Sequence, residues 1–352
     1  MIKAGIIGST GYAGVELLRI LLKHSQVSEI FCSSKTFEGQ EIDLVYQNLI
    51  GQLGNKCNAK LTSAEEVQEK ADIIFTALPH GLAEEVADFC LKRGKKLIDL
   101  SADFRYGMDE ETFKTWYKKE WKFPKTHEVC VYGSPEMNRE AIKKADIIGN
   151  PGCYVTSATL GLLPVLKEGL VDTSCIIVDS KSGVTGSGRN PSMSNQFCEC
   201  GESFSAYKVG AHRHQSEIER NFSTLSGSCA NVIFTPHLLP QNRGILSTIY
   251  ASLTDKGQKM SLEEIRGIYT KAYEKEPFVR FLPEGINPTT RTVRYSNFCD
   301  IQIYKVNSGK TLEVVSVLDN MIKGAAGQAV QNMNLMYGFN EAEGIDFIPP
   351  AF

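Results

Sequence analysis

Two hydrophobic rhythms alternate along the first part of the chain. The run KAGIIG (residues 3–8) is short, apolar and bounded by glycine, the pattern of a buried strand. In VELLRILLKH, Val15, Leu17, Leu18, Leu21 and Leu22 recur at helical spacing, and VSEIFCSS then reads as a second strand. Strand, turn, helix and strand make one β-α-β unit, whose two strands lie parallel. The design recurs in ADIIFTALPHG (71–81), KKLIDLSADFR (95–105) and ADIIGNPGC (145–153), each a buried strand followed by a polar or turn-forming loop. Beyond it, YVTSATLGLLPVL has a helical pattern. CIIVDSKSGV, NVIFTPHLLP, GILSTIYASL, NFCDIQIYKV and TLEVVSVLD read as strands with helices between them. The closing NMIKGAAGQAVQNMNLMYGF is helical and rich in small residues that allow close backbone approach. The pattern predicts an α/β chain. A doubly wound parallel unit spans 1–150, and an α+β unit with a mixed or antiparallel sheet spans 151–319. A C-terminal helix within 320–352 packs back on the first unit.

Bulk properties narrow the function classes. At 352 residues the chain is long enough for two cores. The net charge of -3, with no long basic run, argues against a nucleic-acid partner. The opening MIKAGIIGSTGYAG is broken by glycines and does not read as a secretory signal. No apolar stretch approaches the roughly 20 residues of a membrane helix, so no membrane partner is expected. The 10 cysteines are scattered singly, apart from Cys198 and Cys200, in a chain that needs no disulfides. This predicts a reduced, cytoplasmic protein. Cys32, Cys90, Cys175, Cys229 and Cys299 stand in apolar surroundings and read as small buried fillers. FCECG lacks a second cysteine pair at metal spacing, and no metal is expected.

Candidate chemistry gathers in the loops. Gly8, Gly11 and Gly14 lie between strand and helix, where they allow a tight turn, approach of backbone N–H groups to a pyrophosphate, and close helix packing. This is the fingerprint of a dinucleotide-binding Rossmann unit. At the end of the second strand, where a carboxylate grips the NAD ribose, stand Ser33, Ser34 and Lys35. Hydroxyls and a cation there favour the 2′-phosphate of NADP(H). Ligands bind beyond the carboxyl ends of such strands, which gives Ser101, Asp103, Arg105, Asn150 and Cys153 one shared crevice. Cys153 follows a Pro-Gly turn and opens a helix, whose N-terminus stabilises a thiolate. A nucleophilic thiolate calls for a base, and YKVGAHRHQSEIER (207–220) offers His212 and His214 around Arg213. As strand residues two apart, both histidines would face the same way, but a helix beginning near SEIER would break that alternation, and the residues alone do not choose between them. H-x-H is also a zinc-ligand spacing. SKSGVTGSGR (180–189) presents backbone N–H groups and hydroxyls suited to a phosphate or an oxyanion, and HLLPQNRGI (237–245) adds an Arg-Gly turn.

With these pieces in place the chain resembles the glyceraldehyde-phosphate and aspartate-semialdehyde dehydrogenases. More closely, GSTGYAGVELLRIL, ALPHG, LSADFR, GNPGCY, SGVTGSGR, HRHQSEI, FTPHLLPQNRGI and DNMIKGAAGQAVQNMN resemble the N-acetyl-γ-glutamyl-phosphate reductases of arginine biosynthesis. The resemblance spans nearly the whole chain. It implies NADPH-dependent reduction of an acyl phosphate to a semialdehyde through a thioester on Cys153, with inorganic phosphate released, in a homodimer or homotetramer. It makes His212 the favoured base, with His214 beside it. It assigns Asn150, Arg105, Ser182, Gly183, Arg213 and Glu217 to substrate and phosphate. It assigns Gly8, Ser9, Thr10, Gly11, Tyr12, Ala13, Gly14, Ser33, Ser34, Lys35, Leu78, Pro79, Ser101, Gly186 and Asn320 to the cofactor. The chain departs from the family pattern at Ser216, where proline is usual, and at Tyr295, where a small residue is expected. The second departure bears on the N-acyl group accepted.

Overall fold

The computed structural model describes residues 1–352 and divides into two compact units. The first comprises Met1–Pro151 and Ala325–Phe347. Its strands are β1 (Ile2–Ile7), β2 (Val27–Ser33), β3 (Ile73–Thr76), β4 (Lys96–Asp99), β5 (Cys130–Tyr132) and β6 (Ile147–Gly149). They form one sheet in the order β2-β1-β3-β4-β6-β5, and every pairing is parallel. β3 is buried along its whole length, as a sheet covered on both faces requires. The helix Tyr12–Leu21 returns from β1 to β2, and the helix Glu84–Arg93 leads from β3 to β4.

The C-terminal helix Gly327–Tyr337 belongs to this unit, as expected, and every residue but the last is buried. Its amides explain how so polar a helix is buried. Gln328 Nε2 and Asn332 Nδ2 donate to the Gly133 carbonyl, at 2.9 and 2.8 Å, and Asn334 Oδ1 lies 2.8 Å from His24 Nε2. Buried side-chain amides are tolerated when paired in this way.

The second unit comprises Gly152–Gly324 and Ile348–Phe352. Its strands are β7 (Val171–Gly183), β8 (Ser205–Ala206), β9 (Val232–Leu239), β10 (Ile245–Leu253), β11 (Val279–Phe281), β12 (Cys299–Val306) and β13 (Thr311–Leu318). The order is β11-β12-β13-β10-β7-β9-β8. β11/β12 and β7/β9 are parallel and the other pairs antiparallel, so the sheet is mixed. The helices Cys153–Lys167, His214–Ser226 and Leu262–Tyr273 supply Val155, Leu162, Ile218, Phe222, Ile265 and Tyr269 to a core shared with Val178, Ile249, Ile301 and Val314 of the sheet. On the opposite face Ile233, Ile177, Tyr250, Glu313 and Tyr304 form one cross-strand row over β9, β7, β10, β13 and β12.

Two sequence expectations need correcting. Cys32, Cys90 and Cys299 are buried, but Cys175 and Cys229 are exposed. Cys175 points outward on β7, and Cys229 lies in the loop before β9. The segment around His212 is not a strand. Lys208 and Gly210 adopt left-handed backbone, at φ 47° and 65°, which breaks strand alternation. The helix begins at His214 itself, and Ser216 Oγ, where proline was expected, donates to the Arg213 carbonyl at 3.0 Å. No helix is long and apolar enough to cross a membrane.

Candidate active site

In the first unit the glycine turn is built for close approach. Gly8 has φ 90°, and a Cβ there would meet the Ala77 carbonyl oxygen at 2.5 Å. A Cβ on Gly14 would meet the Gly8 oxygen at 2.3 Å. Gly8 N and Ser9 N both donate to the Ser33 carbonyl, at 3.1 and 3.0 Å, so the turn is fixed to the end of β2. The helix Tyr12–Leu21 starts on Gly11 with no side-chain cap and no acid in its first turn. The N–H groups of Tyr12, Ala13 and Gly14 are therefore available to an anion.

At the β2 end Thr10 Oγ1 and Ser34 Oγ lie 2.6 Å apart, Ser33 is buried and Lys35 is exposed. Ser33, Ser34 and Lys35 place hydroxyls and a cation there, and none of the three is a carboxylate. Leu78, which with Pro79 follows β3, would lie 3.6 Å from a Cβ on Gly8. This cradle fits a dinucleotide carrying an extra phosphate.

Beyond β4 and β6 lies a second polar cluster of the same unit. Asp99 accepts from Thr76 Oγ1 at 2.7 Å, Ser101 N at 3.0 Å and Ser101 Oγ at 2.6 Å. Burial, and then the nearby Asp103 charge, push the Asp99 carboxyl up to about 7. Asp103 accepts from Gly81 N at 2.6 Å and Ala83 N at 3.0 Å, which ties the β3 loop to the β4 loop. Arg105 is buried. Its Nε donates to the Asn150 carbonyl at 2.8 Å and its Nη2 to the Leu100 carbonyl at 3.1 Å. Asn150 is itself held through its amide by Ala325 O and Asn332 Nδ2, each at 3.1 Å.

The second unit holds the cysteine. Cys153 is the first residue of its helix, Gly152 is the N-cap with no side-chain cap, and the thiol is partly exposed. The buried Glu217 carboxylate accepts the Gly152 N–H at 3.0 Å. His214 lies three residues before Glu217, nearly one turn earlier on the same helix. Its Nε2 would be 2.5 Å from a Cβ on Gly152. One helix thus sets an imidazole and a carboxylate against the Gly152 peptide that precedes Cys153, and only glycine leaves room for the ring. On another side a Cβ on Gly324 would stand 2.7 Å from Cys153 Cβ. Gly324 lies in a π-helical turn, Ile322–Ala326, and its N–H bonds the Asp319 carbonyl at 2.9 Å.

His212 occupies a different niche. Its Nδ1 accepts the His214 N–H at 3.1 Å, so the ring proton of the neutral form resides on Nε2, 3.4 Å from Tyr207 Oη. Tyr207 donates on to Tyr154 at 3.1 Å, and Tyr154 to the His237 carbonyl at 3.3 Å. Tyr154, Tyr207 and Phe234 ring the imidazole, with centroids 5.7, 5.5 and 5.3 Å away. Burial above all, then the charges of Lys208 and Arg213, lowers its pKa to about 3.

Ser182 and Gly183 end β7. Ser182 Oγ donates to the Gly183 carbonyl at 3.0 Å, and Gly183 N bonds Gly244 O at 2.9 Å. Asn320 joins the same two loops: its Oδ1 accepts Gly244 N at 2.8 Å and its Nδ2 donates to Thr185 Oγ1 at 3.0 Å. Its Nδ2 would lie 3.6 Å from a Cβ on Gly186. Arg213 caps the helix that begins with His214. No cluster of three or more metal-binding side chains is present. Sequence reasoning missed Tyr154, Tyr207, Asp319 and Gly324. Of these only Gly324 carried a signal, as one of the small residues in KGAAG.

Residues 3–145 match the family described as semialdehyde dehydrogenase, NAD binding domain, and residues 153–320 match semialdehyde dehydrogenase, dimerisation domain. A chain named N-acetyl-gamma-glutamyl-phosphate reductase from Clostridium beijerinckii is 50% identical over 352 residues, covering 100% of both chains. One of the same name from Brachyspira hyodysenteriae is 46% identical over 360 residues, again covering 100% of both. Among solved structures, aspartate semialdehyde dehydrogenase II of Vibrio cholerae superposes with TM-score 0.72 at 18% identity, covering 96% of this chain and 98% of that one. The aspartate semialdehyde dehydrogenase with NADP from Candida albicans gives 0.68 at 15% identity, covering 96% and 98%.

Proposed function

The chain belongs to the N-acetyl-γ-glutamyl-phosphate reductases within the semialdehyde dehydrogenases, and from that premise we propose how its residues carry out the family's reaction. It reduces an N-acyl-γ-glutamyl phosphate to the N-acyl-glutamate 5-semialdehyde with NADPH, in arginine biosynthesis. The observation that carries the residue roles is the placing of Cys153 at a helix start whose preceding peptide is flanked by His214 and Glu217.

His214 takes the thiol proton. The Cys153 sulfur, favoured as thiolate by the helix N-terminus, forms a bond to the γ-carbonyl carbon while the carbon–oxygen bond to phosphate breaks. Phosphate leaves and an acyl thioester remains on Cys153. Arg105, with Ser182 and Gly183, holds the departing phosphate. Bound NADPH supplies the hydride that reduces the thioester carbonyl. Backbone N–H groups at the Cys153 helix start stabilise the oxyanion that develops there. The thiohemiacetal oxyanion then collapses: the carbonyl re-forms, the carbon–sulfur bond breaks, and His214 returns to the leaving thiolate the proton it took. His214 is assigned the base role in preference to His212, because His212 presents Nδ1 to a backbone N–H and stays neutral within its aromatic ring cluster. His212 orients the base through the His214 peptide. Glu217 fixes Gly152 and hence the nucleophile's helix start.

Gly8 to Gly14, Ser33, Ser34 and Lys35 hold the NADP(H) phosphates, with Leu78, Pro79, Ser101, Gly186 and Asn320 completing the cofactor contacts. Arg213 serves the substrate from the start of its helix. The working form is a cytoplasmic homodimer. The support is the row that exposes Ile177, Ile233 and Tyr250, with 40%, 53% and 36% of their surface in solvent, on a domain whose family is described as a dimerisation domain.

The test runs the reaction backwards. Purified protein with N-acetylglutamate 5-semialdehyde should reduce NADP only when inorganic phosphate is present. Reduction that ignores phosphate, or that proceeds only with aspartate semialdehyde, would reject the assignment.

A further inference from the structure

Tyr295 stands in a conformation that side chains avoid. Its φ is 65°, in the left-handed region that favours glycine. The strain is held from outside: Tyr295 N donates at 2.7 Å to Oδ2 of the fully buried Asp319, whose Oδ1 accepts from Met321 N at 2.8 Å and Ile322 N at 3.2 Å. The residue remains 41% exposed. The Arg243 guanidinium lies 4.9 Å and that of Arg294 5.4 Å from its centroid. Arg243 Nη1 is 3.6 Å from Asp319 Oδ2. Arg294 Nε is buried and has no hydrogen-bond partner. A strained, partly exposed aromatic beside an unsatisfied buried donor is a configuration that a ligand would complete.

The cluster is tied to the reacting centre within its own unit. The Asp319 carbonyl accepts from Gly324, the residue pressed against Cys153 Cβ. Arg243 belongs to the turn whose neighbours bond Gly183 and Thr185. Resting on the function proposed above, we infer that Arg294 and Tyr295 form the recognition site for the far end of the substrate. The Arg294 guanidinium takes the α-carboxylate, and the Tyr295 ring bounds the space for the N-acyl group at acetyl size. Charge supports the assignment. The guanidiniums of Arg243 and Arg294 both flank the Tyr295 ring, which favours a carboxylate there. An N-succinyl substrate brings a second carboxylate and a longer chain toward the same ring.

The experiment measures kcat and KM with the N-acetyl and N-succinyl semialdehydes for the wild type, Tyr295→Gly, Tyr295→Phe and Arg294→Met. Tyr295→Gly suits the backbone and should keep or raise the melting temperature. It should lower the acetyl-to-succinyl ratio of kcat/KM by about tenfold, the scale on which apolar pockets discriminate. Tyr295→Phe should keep the wild-type ratio. Arg294→Met should raise KM for the N-acetyl semialdehyde about tenfold with kcat within about twofold, the pattern of lost uniform binding. An active, folded Tyr295→Gly with its ratio within about twofold of wild type, or an Arg294→Met with unchanged KM, overturns the inference alone. A wild type with no phosphate-dependent activity overturns it together with the function on which it rests.

Discussion

Cys153 and His214 meet through a glycine: the sulfur hangs from the first residue of a helix, and the imidazole packs on the Gly152 just before it. Cys153→Ser should bind NADPH with unchanged affinity in a fluorescence titration and lose nearly all turnover, because a serine hydroxyl does not ionise near neutral pH. Retained activity would exclude a thiolate nucleophile. The histidines separate by the pH profile of Cys153 alkylation with iodoacetamide. His214→Asn should slow the reaction near neutral pH and lower turnover by roughly 10²–10⁴. His212→Asn should shift the profile little and act through the seating of His214. The reverse ranking would return the base role to His212. The cysteine and both histidines were legible in the sequence, since a Pro-Gly turn, a helical pattern and H-x-H are local features, whereas the hold of Glu217 on Gly152 was not. The choice between the histidines was not. It depends on left-handed residues at 208 and 210 and on a ring packed against a glycine far away in sequence.

At the scale of elements, the β-α-β repeat announced itself because buried parallel strands are short apolar runs, and the helix after the glycines shows a clear amphipathic period. The β2 end is the element to which we assign cofactor choice. Lys35→Glu should narrow the preference for NADPH over NADH in kcat/KM, since a carboxylate there repels a 2′-phosphate and can grip a ribose hydroxyl. Equal use of both cofactors by the wild type would disprove the role given to Ser33, Ser34 and Lys35. The π-helical turn Ile322–Ala326 was invisible in the sequence, where its small residues read as ordinary helix. Its Gly324 leaves room beside Cys153 that a side chain would fill. Gly324→Ala adds a methyl 2.7 Å from Cys153 Cβ and should cut kcat at least tenfold while the circular dichroism spectrum is preserved. Undiminished kcat would show that this contact is slack. The order of the mixed sheet was equally hidden, because the parallel pairing of β7 with β9 joins strands that have β8 and the helix His214–Ser226 between them in the chain.

At the scale of the whole molecule, stability should carry the mark of buried titratable groups. His212 falls from 6.5 in the unfolded chain to about 3 in the folded one. Between those values the unfolded state binds more protons, so this residue makes the fold less stable as pH drops from about 6.5 toward 3. Asp99, raised to about 7, acts with opposite sign over an overlapping range, as the folded state holds the extra proton there. The contribution of His212 is therefore read as a difference. Urea midpoints of His212→Asn should fall less steeply than wild type between pH 7 and 5, and parallel curves would mean that His212 titrates normally.

Covalent transfer to Cys153 unites these scales, and it is tested most directly without reductant. Protein mixed with N-acetyl-γ-glutamyl phosphate in the absence of NADPH should release about one equivalent of inorganic phosphate per subunit and carry the N-acetylglutamyl group on the Cys153 peptide by mass spectrometry, with neither seen in Cys153→Ser. Full turnover with NADPH but no phosphate burst and no acylated Cys153 peptide without it would mean that the hydride reaches the acyl phosphate directly and that no thioester forms.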